Sequence, residues 1–265
     1  MKILLLVLSI IILPNFYTQV NLDWAKDYKY YAVSDDSPTV MKLDRNGSIY
    51  VLGNSYLENS GYFSLVKYNS SGNLIWSKNY GVPFTEGLVS ATSMVIDTGG
   101  SIYISGEYNS KLLTLKYSGD GILIWSKFYS EQGNDSNLKG GRIIISRSGA
   151  LIVSSTIGTD GKIIILKYDL SGNLIWAKKL NQFSRNYYGA YRLAEDSNGN
   201  IYVAGKTAVT INTTDYLLIK LDHEGNYLWS KRQVSGDYPG PSPKLIIYNN
   251  MIYIVGNFLD VYFQK

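Results

Sequence analysis

Five tryptophans stand at positions 24, 76, 125, 176 and 229, separated by 52, 49, 51 and 53 residues. Each sits in one phrase. Leu74-Ile75-Trp76-Ser77-Lys78 returns as Leu123-Ile124-Trp125-Ser126-Lys127, Leu174-Ile175-Trp176-Ala177-Lys178 and Tyr227-Leu228-Trp229-Ser230-Lys231, and more loosely as Leu22-Asp23-Trp24-Ala25-Lys26. A second phrase keeps the same period: Ile49-Tyr50-Val51-Leu52-Gly53, Ile102-Tyr103-Ile104-Ser105-Gly106, Leu151-Ile152-Val153-Ser154-Ser155, Ile201-Tyr202-Val203-Ala204-Gly205 and Ile252-Tyr253-Ile254-Val255-Gly256. Two phrases recurring five times define tandem units of about fifty residues, none of which buries its apolar face alone.

Within one unit the pattern predicts four short strands, over 93–97, 101–107, 111–117 and 122–129, separated by clusters of Gly, Asn, Asp and Ser. β-Branched and aromatic residues fill the strands, and no stretch sustains a 3.6-residue period. The expected fold is therefore all-β, with four-stranded antiparallel blades. Five such units make a five-bladed β-propeller. The units fall at approximately 37–80, 90–129, 140–180, 190–232 and 243–265, the last completed by 21–30.

The turns share one chemistry. Asp44, Asp97, Asp169, Asp196 and Asp222 each stand three residues before a Gly. An Asp opening a turn accepts a backbone N–H from two residues on, and the closing Gly supplies the positive φ of the reversal. These carboxylates therefore read as turn formers, not as metal or catalytic groups. His223 falls inside one such turn and is expected to be solvated.

The ends of the sequence are complementary. The fifth unit stops at Tyr262-Phe263-Gln264-Lys265, which aligns with the third strand and lacks a Trp strand, whereas Leu22–Tyr28 is a Trp strand without a unit. The expectation is that the N-terminal strand becomes the outer strand of the last blade and closes the ring, satisfying both open strand edges. Residues 19–265 then form one domain. Ahead of it, Met1-Lys2, the apolar run Ile3–Leu13 and Pro14 read as a signal peptide over 1–18, cleaved near Thr18-Gln19. Eleven apolar residues suit a leader better than a retained anchor, which needs about twenty.

Composition removes several function classes. The sequence has no Cys and one His, so thiolate sites, disulfides, Cys nucleophiles and His-cluster metal centres are excluded. The formal net charge is +4 and no run of five like charges exists, which gives no nucleic-acid footprint. The expectation is a secreted monomer with no cofactor, no metal, no catalytic residue set and no membrane span once the leader is removed. Lys26, Lys78, Lys127, Lys178 and Lys231 follow the tryptophans by two residues, on the strand expected outermost, where a Lys blocks edge-to-edge pairing.

Asp196–Gly205 and Lys167–Lys178 resemble the two halves of the SBBP-type bacterial β-propeller repeat, and the similarity extends over 21–265. The resemblance implies an extracytoplasmic propeller scaffold and brings no active-site residues with it. Gly72-Asn73-Leu74-Ile75-Trp76 is more weakly similar to quinoprotein-type propeller repeats.

Functional residues are then sought where the units differ. In an antiparallel four-stranded unit the turns between strands one and two and between three and four share one end. The remaining connections share the other. The latter vary, over 54–61, 81–90, 130–140, 181–189, 206–215 and 233–242, and variable loops on a rigid scaffold carry recognition. Tyr56, Phe84, Phe183, Arg185, Tyr187, Tyr188 and Tyr238 there are residue types common in binding hot spots. Aligning the inner strands places Val40, Ser93, Arg142, Arg192 and Lys244 at one position near the axis. Three cations crowded there call for an anion such as an acidic sugar or a partner's carboxylate, or for nearby acids such as Glu195. The expected function is a binding or scaffold module for a protein or glycan partner. The alternative is a glycoside hydrolase or lyase using carboxylates in the axial funnel, for which Glu86, Glu107, Glu131 and Glu195 are the available acids.

Overall fold

A computed structural model describes residues 35–57, 60–81, 89–131, 137–158, 162–180, 187–210, 213–234, 243–249 and 251–255. They form eighteen strands in five antiparallel sheets, four of them four-stranded and one two-stranded. Sheet one is β1 (Asp35–Leu43), β2 (Ile49–Leu57), β3 (Ser60–Tyr68) and β4 (Leu74–Tyr80). Sheet two is β5 (Val89–Ile96), β6 (Ile102–Tyr108), β7 (Lys111–Tyr117) and β8 (Leu123–Tyr129). Sheet three is β9 (Leu138–Ile145), β10 (Leu151–Ile157), β11 (Lys162–Tyr168) and β12 (Leu174–Leu180). Sheet four is β13 (Tyr187–Glu195), β14 (Ile201–Thr210), β15 (Thr213–Leu221) and β16 (Tyr227–Val234). Sheet five has β17 (Lys244–Tyr248) and β18 (Met251–Val255).

Chain order equals spatial order in every sheet, so each is an up-and-down meander with the Trp strand fourth. This is the propeller-like, blade-by-blade arrangement that the repeat predicts. The strands expected to complete the fifth sheet, from 21–30 and from the residues after 255, lie outside the described residues, as does the leader expected over 1–18. Among the described residues no helix is long and apolar enough to cross a membrane.

Neighbouring sheets pack face to face, and among the described residues the core forms four separate seams. Tyr50, Leu52, Phe63 and Leu65 of sheet one meet Met94, Ile102, Ile104, Leu113 and Leu115 of sheet two. Tyr103 and Leu112 meet Ile143, Leu151, Val153 and Leu166. Ile152, Ile163 and Ile165 meet Leu193, Val203, Leu217 and Ile219. Tyr202, Ala204 and Leu218 meet Leu245 and Ile252. Both faces of a central sheet are thus buried, and its middle strands read as almost continuous apolar runs.

The tryptophans hold equivalent places in these seams. Trp76, Trp125, Trp176 and Trp229 are half-buried, each against the cluster on the forward side of its own sheet. In sheet one, Tyr50, Lys67 and Trp76 lie side by side in register. The Lys67 ammonium sits 5.0 Å from the Tyr50 ring centroid, and the Tyr50 and Trp76 rings meet edge to face at 6.1 Å. The row repeats as Tyr103, Lys116 and Trp125 and as Tyr202, Lys220 and Trp229. Trp24 is outside the described residues.

Lys78, Lys127 and Lys178 stand on the fourth, edge strand of their sheets, as expected, and also lie across the turn of the following sheet. Their carbons come within about 3 Å of where a Cβ on Gly121, Gly172 or Gly225 would stand. That contact between units has no signature in a single repeat.

Candidate ligand-binding face

The two ends of the sheets are built differently. At one end, the turns after the first and third strands are of one kind. The Asp44 carboxylate accepts from the N–H groups of Asn46 and Ser48, both at 2.9 Å, and Asp97, Asp169, Asp196 and Asp222 do the same in their turns. Tyr50, Tyr103 and Tyr202 add a hydroxyl donated to the second oxygen of Asp44, Asp97 and Asp196. Sheet three replaces both partners together, with Ser146 and Ile152. Burial works to raise the Asp196 carboxyl, but the hydrogen bonds from Asn200, Tyr202 and Asn198 outweigh it and hold it below the usual range. Burial and the Asp97 charge push the Tyr103 hydroxyl up to about 12. His223 is exposed in its turn, as expected, and its carbonyl takes a hydrogen bond from Lys167. Among the described residues no group of His, Asp and Glu is arranged to hold a metal ion.

At the other end, the connections differ from sheet to sheet. The β6–β7 hairpin closes tightly through Asn109 and Ser110, both at positive φ, whereas β14 and β15 run on to Thr210 and from Thr213. Two expected loops are therefore mostly strand: 54–57 and 60–61 belong to β2 and β3, and most of 206–215 belongs to β14 and β15. Cross-strand pairing continues further than the turn residues alone suggest. Tyr187 and Tyr188, expected in a loop, open β13. Tyr56 lies on β2, and its hydroxyl donates to the carbonyl of Val89 in the next sheet at 2.6 Å. Phe84, Phe183, Arg185 and Tyr238 lie outside the described residues.

The inner-strand alignment is reproduced in register. Val40, Ser93, Arg142, Arg192 and Lys244 pair with Leu52, Ser105, Ser154, Ala204 and Val255. In each four-stranded sheet a bulge immediately precedes this position, and bulges re-aim the side chains beside them. Arg142 is half-buried and its Nη1 donates to the carbonyl of Thr92 in the preceding sheet at 2.6 Å. Lys244 is exposed.

The acids are committed elsewhere. Burial pushes the Glu107 carboxyl up, opposed by the N–H of Gly140 and the charge of Lys139. Glu107 occupies the β-strand position held by Asn54 in sheet one, and the Asn54 side-chain Oδ1 likewise accepts from the N–H of Ala91 in the next sheet at 2.7 Å. This is a latch between sheets that sequence reading missed, because an Asn and a Glu at one repeat position look unrelated until their shared backbone target is seen. Glu131 accepts from Tyr129 and from Lys179, the latter at 2.7 Å. Glu195 accepts from the N–H of Arg147 at 2.6 Å, in the turn after β9. Its carboxylate therefore sits at the uniform-turn end, three residues or about 10 Å along the strand from Arg192, and the expectation that it balances the axial cations is corrected. Glu86 lies outside the described residues.

No protein-family model matches the sequence, and no curated protein matches it. Solved structures do resemble the fold. A Lactobacillus plantarum protein has a TM-score of 0.57 at 16% identity, with 83% of this chain and 64% of that one covered. A Dyadobacter fermentans protein of unknown function has a TM-score of 0.56 at 11% identity, with 80% and 72% covered. The NanB sialidase of Streptococcus pneumoniae has a TM-score of 0.51 at 12% identity, with 76% of this chain but 33% of that one covered. At such identities the likeness is one of fold.

Proposed function

We propose that the chain is a secreted, five-bladed propeller acting as a non-enzymatic binding or scaffold module, with a protein or glycan ligand on the end that carries the variable connections. The observation behind this reading is the division between the two ends. One end repeats a single hydrogen-bonded turn from sheet to sheet, while the other changes in length and residue type. The basic inner-strand row, Arg142, Arg192 and Lys244, favours a ligand with an anionic group, such as an acidic sugar or a partner's carboxylate. The hydrolase alternative needs two carboxyls facing each other across a scissile bond, and Glu107, Glu131 and Glu195 are each engaged in a separate contact.

The test is a glycan and surface-protein array probed with the wild-type chain and with Arg142→Gln/Arg192→Gln. The expected result is selective binding of acidic ligands, weakened at least ten-fold in the double variant. Equal binding of acidic and neutral ligands overturns the anionic preference. Turnover of a glycoside that disappears in Glu86→Gln or Glu107→Gln overturns the non-enzymatic reading.

A further inference from the structure

In a tandem repeat the informative positions are those where one unit departs from the others. Phe63 and Leu65 of β3 pack against sheet two, so Ser64 between them points to the opposite face of sheet one. Asp36 and Ser55 share that face with Ser64, on β1, β2 and β3, at the end with the variable connections. The matching residues are Val89, Tyr108 and Leu113 in sheet two and Leu138, Ile157 and Ile164 in sheet three, all buried in apolar seams. Sheet one therefore exchanges three apolar groups together for oxygens. Ser55 is nevertheless 0% exposed and Ser64 only 6%. Burying polar groups where the repeat offers apolar ones costs stability, so packing does not account for the exchange.

The hydrogen bonds fix where the protons are. Ser55 Oγ donates to Asp36 Oδ1. A hydroxyl has one proton, so in the 2.6 Å contact between the Ser55 and Ser64 hydroxyls Ser64 is the donor. Both protons are then spent toward Asp36, and Ser64 Oγ turns lone pairs to its surroundings. Asn79 of β4 is the register partner of Ser64, on the same face with Cβ atoms about 5 Å apart. Its Oδ1 is buried and has no hydrogen-bond partner among the described residues. The row thus presents acceptor oxygens beside a carboxylate.

We propose that this row is a cation site, taking a hard ion such as Ca2+ on the oxygens of Asp36, Ser55 and Ser64, with Asn79 Oδ1 as a further oxygen beside them. Lone pairs next to a negative charge select a cation over an anion, and an all-oxygen set suits a hard one. The oxygens of Asp36 and Ser64 lie within two hydrogen-bond lengths of each other through Ser55. Ligands of one Ca2+ stand up to about 5 Å apart across the ion. Burial of both serines favours an ion over a sugar ring. The absence of Cys and of a His cluster excludes thiolate and imidazole centres, not a site of this composition. One carboxylate makes the site weak. The inference does not rest on the binding role proposed above.

The test is isothermal titration of Ca2+ into the chelator-stripped chain at constant ionic strength. The expected result is one saturable site with a Kd of about 0.1–1 mM, and a thermal midpoint that rises with Ca2+. Asp36→Asn keeps the side-chain size and Ser64→Ala removes the oxygen at the far end of the hydroxyl chain. Each is expected to weaken Ca2+ at least ten-fold. Asp120→Asn changes an exposed acid in the β7–β8 turn and is expected to bind as wild type. Circular dichroism reports whether each variant is folded, and Ser64→Ala decides if Asp36→Asn is not. No saturable binding by the wild type, a midpoint shift that KCl reproduces, or unchanged Ca2+ affinity in the folded variants overturns the proposal.

Discussion

The indole Nε1 of Trp125 donates to the carbonyl of Leu170, 3.2 Å away in the turn between β11 and β12 of the next sheet. Lys116 donates to the same carbonyl at 3.1 Å. Trp76 and Lys67 share the carbonyl of Gly119 in the same way, at 3.3 and 3.1 Å. A Trp and a Lys on neighbouring strands of one sheet thus grip one peptide of the following sheet. The repeated tryptophan is a joint between units as well as packing within one.

Trp125→Ala removes a half-buried indole and both of its roles. Fully buried Trp→Ala changes cost about 3–5 kcal/mol, so partial burial places this variant at about 2–4 kcal/mol. Trp125→Phe keeps most of the packing and loses the N–H, for about 1 kcal/mol. Urea unfolding of both variants checks the order. Equal losses would mean that the hydrogen bond contributes most of the effect.

Gly172 and Gly100 both take positive φ, +83° and +84°, yet their surroundings differ. A Cβ on Gly100 meets nothing within 4 Å, whereas one on Gly172 lies 3.0 Å from the Trp125 ring and 2.9 Å from Lys127 Cε. Gly100→Ala is expected to cost about 1–2 kcal/mol, for the left-handed conformation alone. Gly172→Ala is expected to cost more, because the clamp has to move. Thermal melts of the two variants decide this, and equal shifts would contradict it.

Ser105 and Thr114 are register partners in sheet two, fully buried. Neither hydroxyl has a hydrogen-bond partner among the described residues. At the corresponding pair, sheet one has Leu52 and Leu65 and sheet four has Ala204 and Leu218. Thr114→Val is expected to stabilise the protein by about 1 kcal/mol, since a buried unmet hydroxyl costs about 1–3 kcal/mol. A guanidinium titration showing a loss of that size would reveal a partner for the hydroxyl.

Asp196 is expected to contribute to the acid limb of stability. Asp196 is held below its ordinary range in the fold by the hydrogen bonds it accepts, which outweigh the opposing effect of burial. A carboxyl depressed by folding contributes stability that is complete above its unfolded value, near 3.9, and is lost as pH falls through the lower folded value. Stability measured from pH 6 to pH 2 is expected to fall most steeply below about pH 4. Asp196→Ala is expected to be less stable at pH 6, by about 1–2 kcal/mol, with a shallower acid limb. An unchanged limb in the variant would place the dependence elsewhere.

Much of this protein is local chemistry written five times. The Trp phrase, the Asp-to-Gly turns and the inner-strand alignment are set by neighbours along the chain. The sequence alone therefore determined the all-β class, the four-strand unit, the place of the Trp strand and the shared register of Val40, Ser93, Arg142, Arg192 and Lys244. It did not determine where hairpins end. Pairing carried β2, β3, β14 and β15 past the residues that read as loop, because cross-strand partners outweigh weak local turn preference. Nor did it determine what lies across a seam. The grip of Trp125 and Lys116 on Leu170, the Asn54 and Glu107 latches and the placing of Glu195 on the Arg147 turn join residues of different units. Such contacts follow from how one sheet stacks on the next, and the period of a repeat carries no record of that stacking.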